Sequence, residues 1–291
     1  MLLLDKPQHL SSNAALQRAK HLYEAAKAGH TGTLDPLATG LLPLCFGEAT
    51  KFGEALLQGR KEYVATVRFG IATTTGDAEG EVVRTGTSSF SHEALSSVLP
   101  GFTGTITQTP PAYAALKFRG RSYYEYARAG VAIPRAPREI EVDAIELQDW
   151  TPPLARLKIA CGKGTYIRVL AEDIAAALDT CAHLAALRRT AAGPFAVDGA
   201  VTLDALAAME PSARDALLLP ADAPLAHVLR LDVDLVTASA LRQGRPARAA
   251  LVASGKYRCY DPRGQFLGLV EFSSGALRPL RLLRTETPLE H

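Results

Sequence analysis

The chain has 291 residues, 47% hydrophobic and 21% charged, with a mean hydropathy of +0.04. That balance belongs to a soluble globular protein with room for one large domain or a large domain plus a small one, and it argues against a disordered or membrane chain. A net charge of +2 and a pI near 8.3 fall short of the strongly basic signature of a nucleic-acid binder.

The amino terminus, Met-Leu-Leu-Leu followed by Asp5-Lys6-Pro7, is too short in its apolar run for a signal peptide, and no later run approaches membrane-spanning length. A cytoplasmic protein without membrane association is expected. Ser11-Ser12-Asn13 supplies N-cap candidates for a helix through Leu16, Ala19, Leu22 and Ala26, ending at Ala28-Gly29. His30 then begins a loop. From Gly29 to Gly40 the chain reads GHTGTLDPLATG, and Pro36 biases Asp35 toward an extended or turn backbone.

Residues 61–70, KEYVATVRFG, read as a strand with Tyr63 and Val67 on one face. Residues 155–161, ARLKIAC, read as another. Gly162-Lys163-Gly164-Thr165 turns the chain into a helix from about Tyr166 to Leu178, placing Tyr166 and Arg168 near its first turn. Between these strands, about 108–139, lies a Pro-rich, aromatic and basic stretch that reads either as a mobile substrate-contacting loop or as ordinary surface. A short capped helix is expected from Thr202 to Met209 and a boundary near Pro220 to Pro224. Residues 228–291 carry short apolar runs between turns, the pattern of a small β-rich domain. That tail holds 10 Lys+Arg against 6 Asp+Glu and the rest of the chain 22 against 24, so charges of +4 and −2 separate along the sequence. The asymmetry fits either a polyanion partner or a solvated basic face.

Cys45, Cys161, Cys181 and Cys259 form no Cys-x-x-Cys pair, and the seven histidines form no metal-binding pattern, so reduced thiols and no metal are expected. A carboxylate in a Gly/Thr/Pro loop, such as Asp35, can serve as nucleophile, general base, metal ligand or turn former. GHTGTLDP lacks the Gly-Lys-Ser/Thr ending of a phosphate loop, and the chain has neither a Gly-x-Ser-x-Gly elbow nor a Gly-x-Gly-x-x-Gly turn. Nucleotide triphosphate and dinucleotide chemistry are therefore not expected.

GHTGTLDPLATGLLPLCFGEATK, residues 29–51, closely resembles the catalytic motif of the TruB family of pseudouridine synthases. LLLDKPQHLSSN, KEYVATVRFG, PPAYAALKFRGRSYYEYARAG, CGKGTYIRVLAEDI and LRRTAAGPF resemble other segments of that family in the same order. The resemblance covers roughly residues 2–205. It implies an α+β fold: a mixed, mostly antiparallel sheet carrying the cleft in a catalytic domain over 1–225, and a PUA-like RNA-binding domain over 228–291. It implies isomerisation of uridine 55 in the tRNA T-loop by a stand-alone monomer that flips the base and uses no cofactor, metal or obligate protein partner.

The resemblance also assigns residues. Asp35 matches the catalytic carboxylate and Arg168 the arginine paired with it. Tyr63 matches the residue that stacks on the target base, Tyr166 and Leu187 line the base pocket, and Lys6 stands at its edge. His30 matches a histidine that fills the space left in the T-loop. Lys117, Arg119, Arg121 and Arg128 would contact phosphates, while the tyrosines of YYEYAR are expected mostly in the core. The competing readings are a guide-dependent synthase, a non-catalytic RNA-binding protein with the same fold, and an Asp-dependent small-molecule hydrolase.

Overall fold

Strand 61–70 is observed as Lys61–Phe69, with Lys61, Tyr63, Ala65, Val67 and Phe69 buried and the alternate positions more open. This period of two is what one face on a core requires. The computed structural model describes residues 1–250 and 253–284. Within them, ten strands form one sheet whose main path runs Val201–Thr202, Leu2–Lys6, Thr39–Phe46, Ala182–Ala192, Lys61–Phe69, Leu154–Cys161, Arg138–Thr151, Gly104–Gln108. The sheet is mixed and mostly antiparallel. Its parallel pairings are Leu2–Lys6 with Val201–Thr202 and, at the centre, Ala182–Ala192 with Thr39–Phe46.

Among the helices on the core are two that position the site. Ser12–Leu22 buries Ala15, Leu16 and Ala19, and Ile167–Ala176 buries Leu170, Ala171 and Ile174 against Leu42, Ala65 and Leu157. Ser11 caps the first helix by accepting a 3.1 Å hydrogen bond from the Ala14 amide. That helix stops at Leu22, well before the expected Ala28-Gly29. Ala28–His30 instead adds a short strand to the edge of Thr39–Phe46, so His30 ends a strand rather than opening a loop. Edge pairing satisfies backbone groups that a longer helix would have satisfied, and tertiary context overrides local propensity.

The tail forms a separate five-stranded sheet in the order Leu229–Asp232, Gly255–Tyr260, Phe266–Ser273, Ala276–Leu282, Ala247–Arg248. Its own core joins Tyr257, Cys259, Val270 and Phe272 to Ala238 and Leu241 of the helix Leu235–Arg242. Contacts with the rest of the chain are specific. Phe52 packs 5.2 Å from Phe266, Lys51 Nζ donates to the Leu282 carbonyl at 2.8 Å, and the Arg284 amide donates to Glu48 at 2.7 Å.

The central parallel pairing sets the end of the Asp35 loop. Gly40, at φ +98, lies against Arg189, and a Cβ there would sit 2.3 Å from the Arg189 carbonyl oxygen. No side chain fits between two hydrogen-bonded strands at that distance. Gly40→Ala is expected to cost about 3 kcal/mol or more in chemical denaturation. Gly47→Ala, at φ +53 with nothing within 4 Å of the added carbon, should cost only about 1–2 kcal/mol. Equal losses would show that close approach is not the constraint at Gly40.

Candidate active site

The loop between His30 and Thr39 is tied down at almost every residue. Ser12, at the start of the first helix, exchanges hydrogen bonds with Leu34: the amide donates to its Oγ at 2.7 Å and the hydroxyl donates to the carbonyl at 2.9 Å. The His9 amide donates to the Pro36 carbonyl at 2.8 Å, and Ala38 turns back onto the Asp35 carbonyl at 3.0 Å. Asp35 is thus presented from a fixed backbone turn, as Pro36 had implied.

Arg168 meets it from the first turn of the helix Ile167–Ala176. Its Nη2 lies 3.0 Å from Asp35 Oδ2, and its guanidinium also donates to the Thr75 and Tyr113 carbonyls, each at 2.8 Å. Asp77 stands behind it, Oδ2 3.9 Å from Nε, buried and itself fixed by the Thr75 hydroxyl and the Glu79 amide. The arginine is 6% exposed, so its planar fork is locked before any ligand arrives. The helix start that carries it is anchored by Gln108, which accepts from the Tyr166 amide at 3.1 Å and donates to the Tyr166 carbonyl at 3.3 Å.

Asp35 and Arg168 line one cavity of about 370 Å³ together with Tyr63, Tyr166 and Leu187. That volume falls in the range of sites that enclose a small ligand. Asp35 keeps 40% of its side-chain surface open through the cavity, yet the walls around it withhold most bulk water. Burial is the largest influence and raises its carboxyl above the usual carboxylate value; the Arg168 charge opposes that rise, and Asp77 adds to it. Tyr63 is buried, and loss of water raises its phenol as well.

Other expected residues are placed differently. Lys6 is fully buried beneath the Asp35 loop, where its ammonium donates to the Leu10 carbonyl at 2.6 Å, Pro7 at 2.9 Å and Pro36 at 3.5 Å. It braces the loop from below instead of lining the cavity. Burial brings it down to about 8 against the attraction of Asp35. His30 borders a second cavity of about 310 Å³ with Lys27, Lys51 and Arg281. Its Nδ1 is buried without a partner, and burial lowers its pKa.

Lys117, Arg119, Arg121 and Arg128 are all exposed, on a small hairpin and the helix Tyr123–Arg128 that follows it. Three of them lean on aromatic rings: Arg119 on Phe118, Arg121 on Tyr126 and Arg128 on Tyr124, at 5.3 to 5.6 Å. Only Tyr123 of the three tyrosines is buried, because a helix of six residues has one turn to turn inward. The neighbouring residues Tyr113 to Leu116 close one wall of the Asp35 cavity.

Sequence reasoning missed Asp77, Gln108, Lys61 and Arg189. The last two lie inside KEYVATVRFG and LRRTAAGPF, where charged residues at the core-facing positions of central strands were the available signal. Asp77, in a Gly-rich turn, carried none.

Comparison with known proteins follows the same outline. The family model described as TruB family pseudouridylate synthase (N terminal domain) matches residues 20–167, that of the tRNA pseudouridylate synthase B C-terminal domain residues 168–226, and that of tRNA Pseudouridine synthase II, C terminal, residues 229–284. The chain is 50% identical over 285 residues to tRNA pseudouridine synthase B of Thiobacillus denitrificans, covering 98% of this chain and 96% of that one. It is also 50% identical to the protein of that name from Azoarcus sp., covering 99% and 95%. The crystal structure of a Cbf5-Nop10-Gar1 complex shares the fold at a TM-score of 0.72 with 22% identity, over 97% of this chain and 84% of that one. A mixed sheet with a β-rich C-terminal domain and nearly full-length identity of this order define a pseudouridine synthase. The chain belongs to the TruB family.

Arg168→Lys is expected to lower turnover by at least about 10²-fold, since a point charge cannot hold Asp35 and two carbonyls in one plane. RNA affinity measured by filter binding should stay within a few fold. Wild-type turnover would remove the pairing from the mechanism.

Proposed function

We propose that this chain isomerises uridine 55 in the T-loop of tRNA to pseudouridine, acting alone as a cytoplasmic monomer. The observation that carries the reading is the Asp35–Arg168 pair, 3.0 Å apart, on the wall of a cavity shared with Tyr63, Tyr166 and Leu187. Near 50% identity over the whole chain to proteins named tRNA pseudouridine synthase B supports tRNA as the substrate class.

The cavity is too enclosed for a base still stacked in RNA, so the target nucleotide must swing out, at a cost of a few kcal/mol. Tyr63 recovers part of that by stacking on the base, with Leu187 and Tyr166 closing on its edges. Asp35, ionised and aimed by Arg168, acts at the sugar while the N1 glycosidic bond breaks. The freed base turns and rejoins through C5. Every heavy atom of the base is kept, N1 gains a proton and C5 loses one, so the reaction is redox-neutral and requires no redox cofactor.

His30, on the neighbouring cavity, takes the gap left in the T-loop, and its lowered pKa keeps the ring neutral and able to stack. The exposed cations Lys117, Arg119, Arg121 and Arg128 meet phosphates. Lys6 acts indirectly, through the loop it braces. The catalytic domain spans 1–225, and a tail domain over 228–291 extends the RNA surface; the cavity that joins His30 to Arg281 favours this division of labour. The part of that tail beyond residue 284 lies outside the described residues.

With a T-stem-loop hairpin carrying 5-tritiated uridine, and no other component, wild type should release one tritium per hairpin and Asp35→Asn none. Release only after a guide RNA and partner proteins are supplied would move the chain to the guide-dependent branch. Because Asp35 must be ionised and its pKa is raised, activity should fall on acidification at a pH above the ordinary aspartate value of 3.8. A single-turnover pH profile flat down to that value would contradict the role.

A further inference from the structure

Beside Tyr63 the structure holds two buried cations that the reaction as described does not use. Arg189 is 1% exposed and Lys61 7% exposed, and both line the Asp35 cavity. Neither has a carboxylate within 4 Å among the described residues. Arg189 donates to the Leu41 carbonyl at 2.7 Å and the Gly32 carbonyl at 3.2 Å, and Lys61 donates to the Leu57 and Gly59 carbonyls, each at 2.7 Å. Carbonyl dipoles take up part of their donor capacity and leave their charge uncancelled.

The two flank Tyr63 in the wall of that cavity. Lys61 and Tyr63 share the buried face of one strand, and Arg189 pairs with Tyr63 across the adjoining strand. Burial holds the Lys61 ammonium down at about 8, and the Arg189 charge adds to that lowering. The Arg189 charge likewise pulls the Tyr63 phenol back from the rise that burial imposes. Holding uncancelled cations this deep is costly unless something negative comes to meet them.

We propose that Arg189 and Lys61 form an electrostatic floor that stabilises the negative charge gained by the uracil ring when its glycosidic bond breaks. This rests on the pseudouridylation reading above. When N1 separates from C1′, the bonding pair stays with N1 and spreads to O2 and O4. This holds whether an Asp35 oxygen bonds to C1′ or takes the 2′ proton. The charge is consumed when the ring's C5 bonds to C1′, after which C5 releases its hydrogen as a proton and N1 takes one up. The floor is fixed before the reaction begins, the condition under which such a field lowers a barrier most. Both residues act through the field they set up in the cavity wall, so they are positioning residues and form no bond to the reacting atoms.

A merely structural role would slow all substrates alike, whereas an electrostatic floor matters most for the poorest leaving group. The test therefore compares uridine with 5-fluorouridine at the target position of the same T-loop hairpin, in single turnover, following loss of the starting nucleoside. Fluorine withdraws charge from the ring and makes it a better leaving group. Arg189→Met should slow uridine by about 10²-fold, the scale of one lost preorganised donor, and slow 5-fluorouridine by roughly tenfold less. Arg189→Lys should restore much of the difference.

The ratio of the two rates within one preparation does not change with the fraction of folded enzyme. Lys61→Met supplies the same comparison should Arg189→Met fail to fold. A common factor of loss for both substrates would overturn the floor while leaving the function intact. Absence of uridine turnover by wild type would overturn the function, and this inference with it.

Discussion

The site depends on keeping a carboxylate charged where water is scarce. Burial pushes the Asp35 proton affinity up, and the Arg168 guanidinium 3.0 Å away pushes it back. An arginine free to swing would lose that contest to solvent. Here its other donors are taken by the Thr75 and Tyr113 carbonyls, with Asp77 on the far side. Much of the surrounding fold serves to bring those three chain segments to one guanidinium.

The central sheet explains how the segments meet. Lys61–Phe69 lies between Leu154–Cys161 and Ala182–Ala192, so Tyr63 has Ile159 on one side and Arg189 on the other. Leu154–Cys161 runs directly into the turn and helix that deliver Tyr166 and Arg168. On the other flank, the parallel pairing of Thr39 and Gly40 with Arg188 and Arg189 ends the Asp35 loop against the same strand. Lys6, Ser12 and His9 hold that loop from behind. The Asp35 carboxylate therefore rides on irregular backbone whose freedom has been removed by regular structure.

Much of this was legible in the residues. Alternation over 61–70 placed Tyr63 on the buried face, and the glycine turn at 162–165 placed Tyr166 and Arg168 in a helix's first turn, because both signals are local. The Asp35–Arg168 contact was legible only through resemblance, since nothing local links positions so far apart in sequence. Three features were not readable. The early end of the first helix arises from edge pairing by Ala28–His30, a long-range event that propensity cannot register. Lys6 was expected at the pocket's edge, and its ammonium lies under the loop, held by the nearby Pro7 and Leu10 carbonyls and by that of Pro36, which only the fold brings to it. Arg188 and Arg189 are alike in sequence, whereas strand alternation turns Arg188 outward to Asp5 and Arg189 into the core.

The most direct test of the account is the titration of Asp35 itself, followed by the carboxyl carbon shift in selectively labelled protein. In wild type the midpoint should lie above the ordinary 3.8. In Arg168→Gln, which removes the charge but keeps donors for the carbonyls, it should move up further by about one unit or more. A midpoint unchanged by that substitution would show that Arg168 does not keep the carboxylate ionised, and the central electrostatic argument would fail.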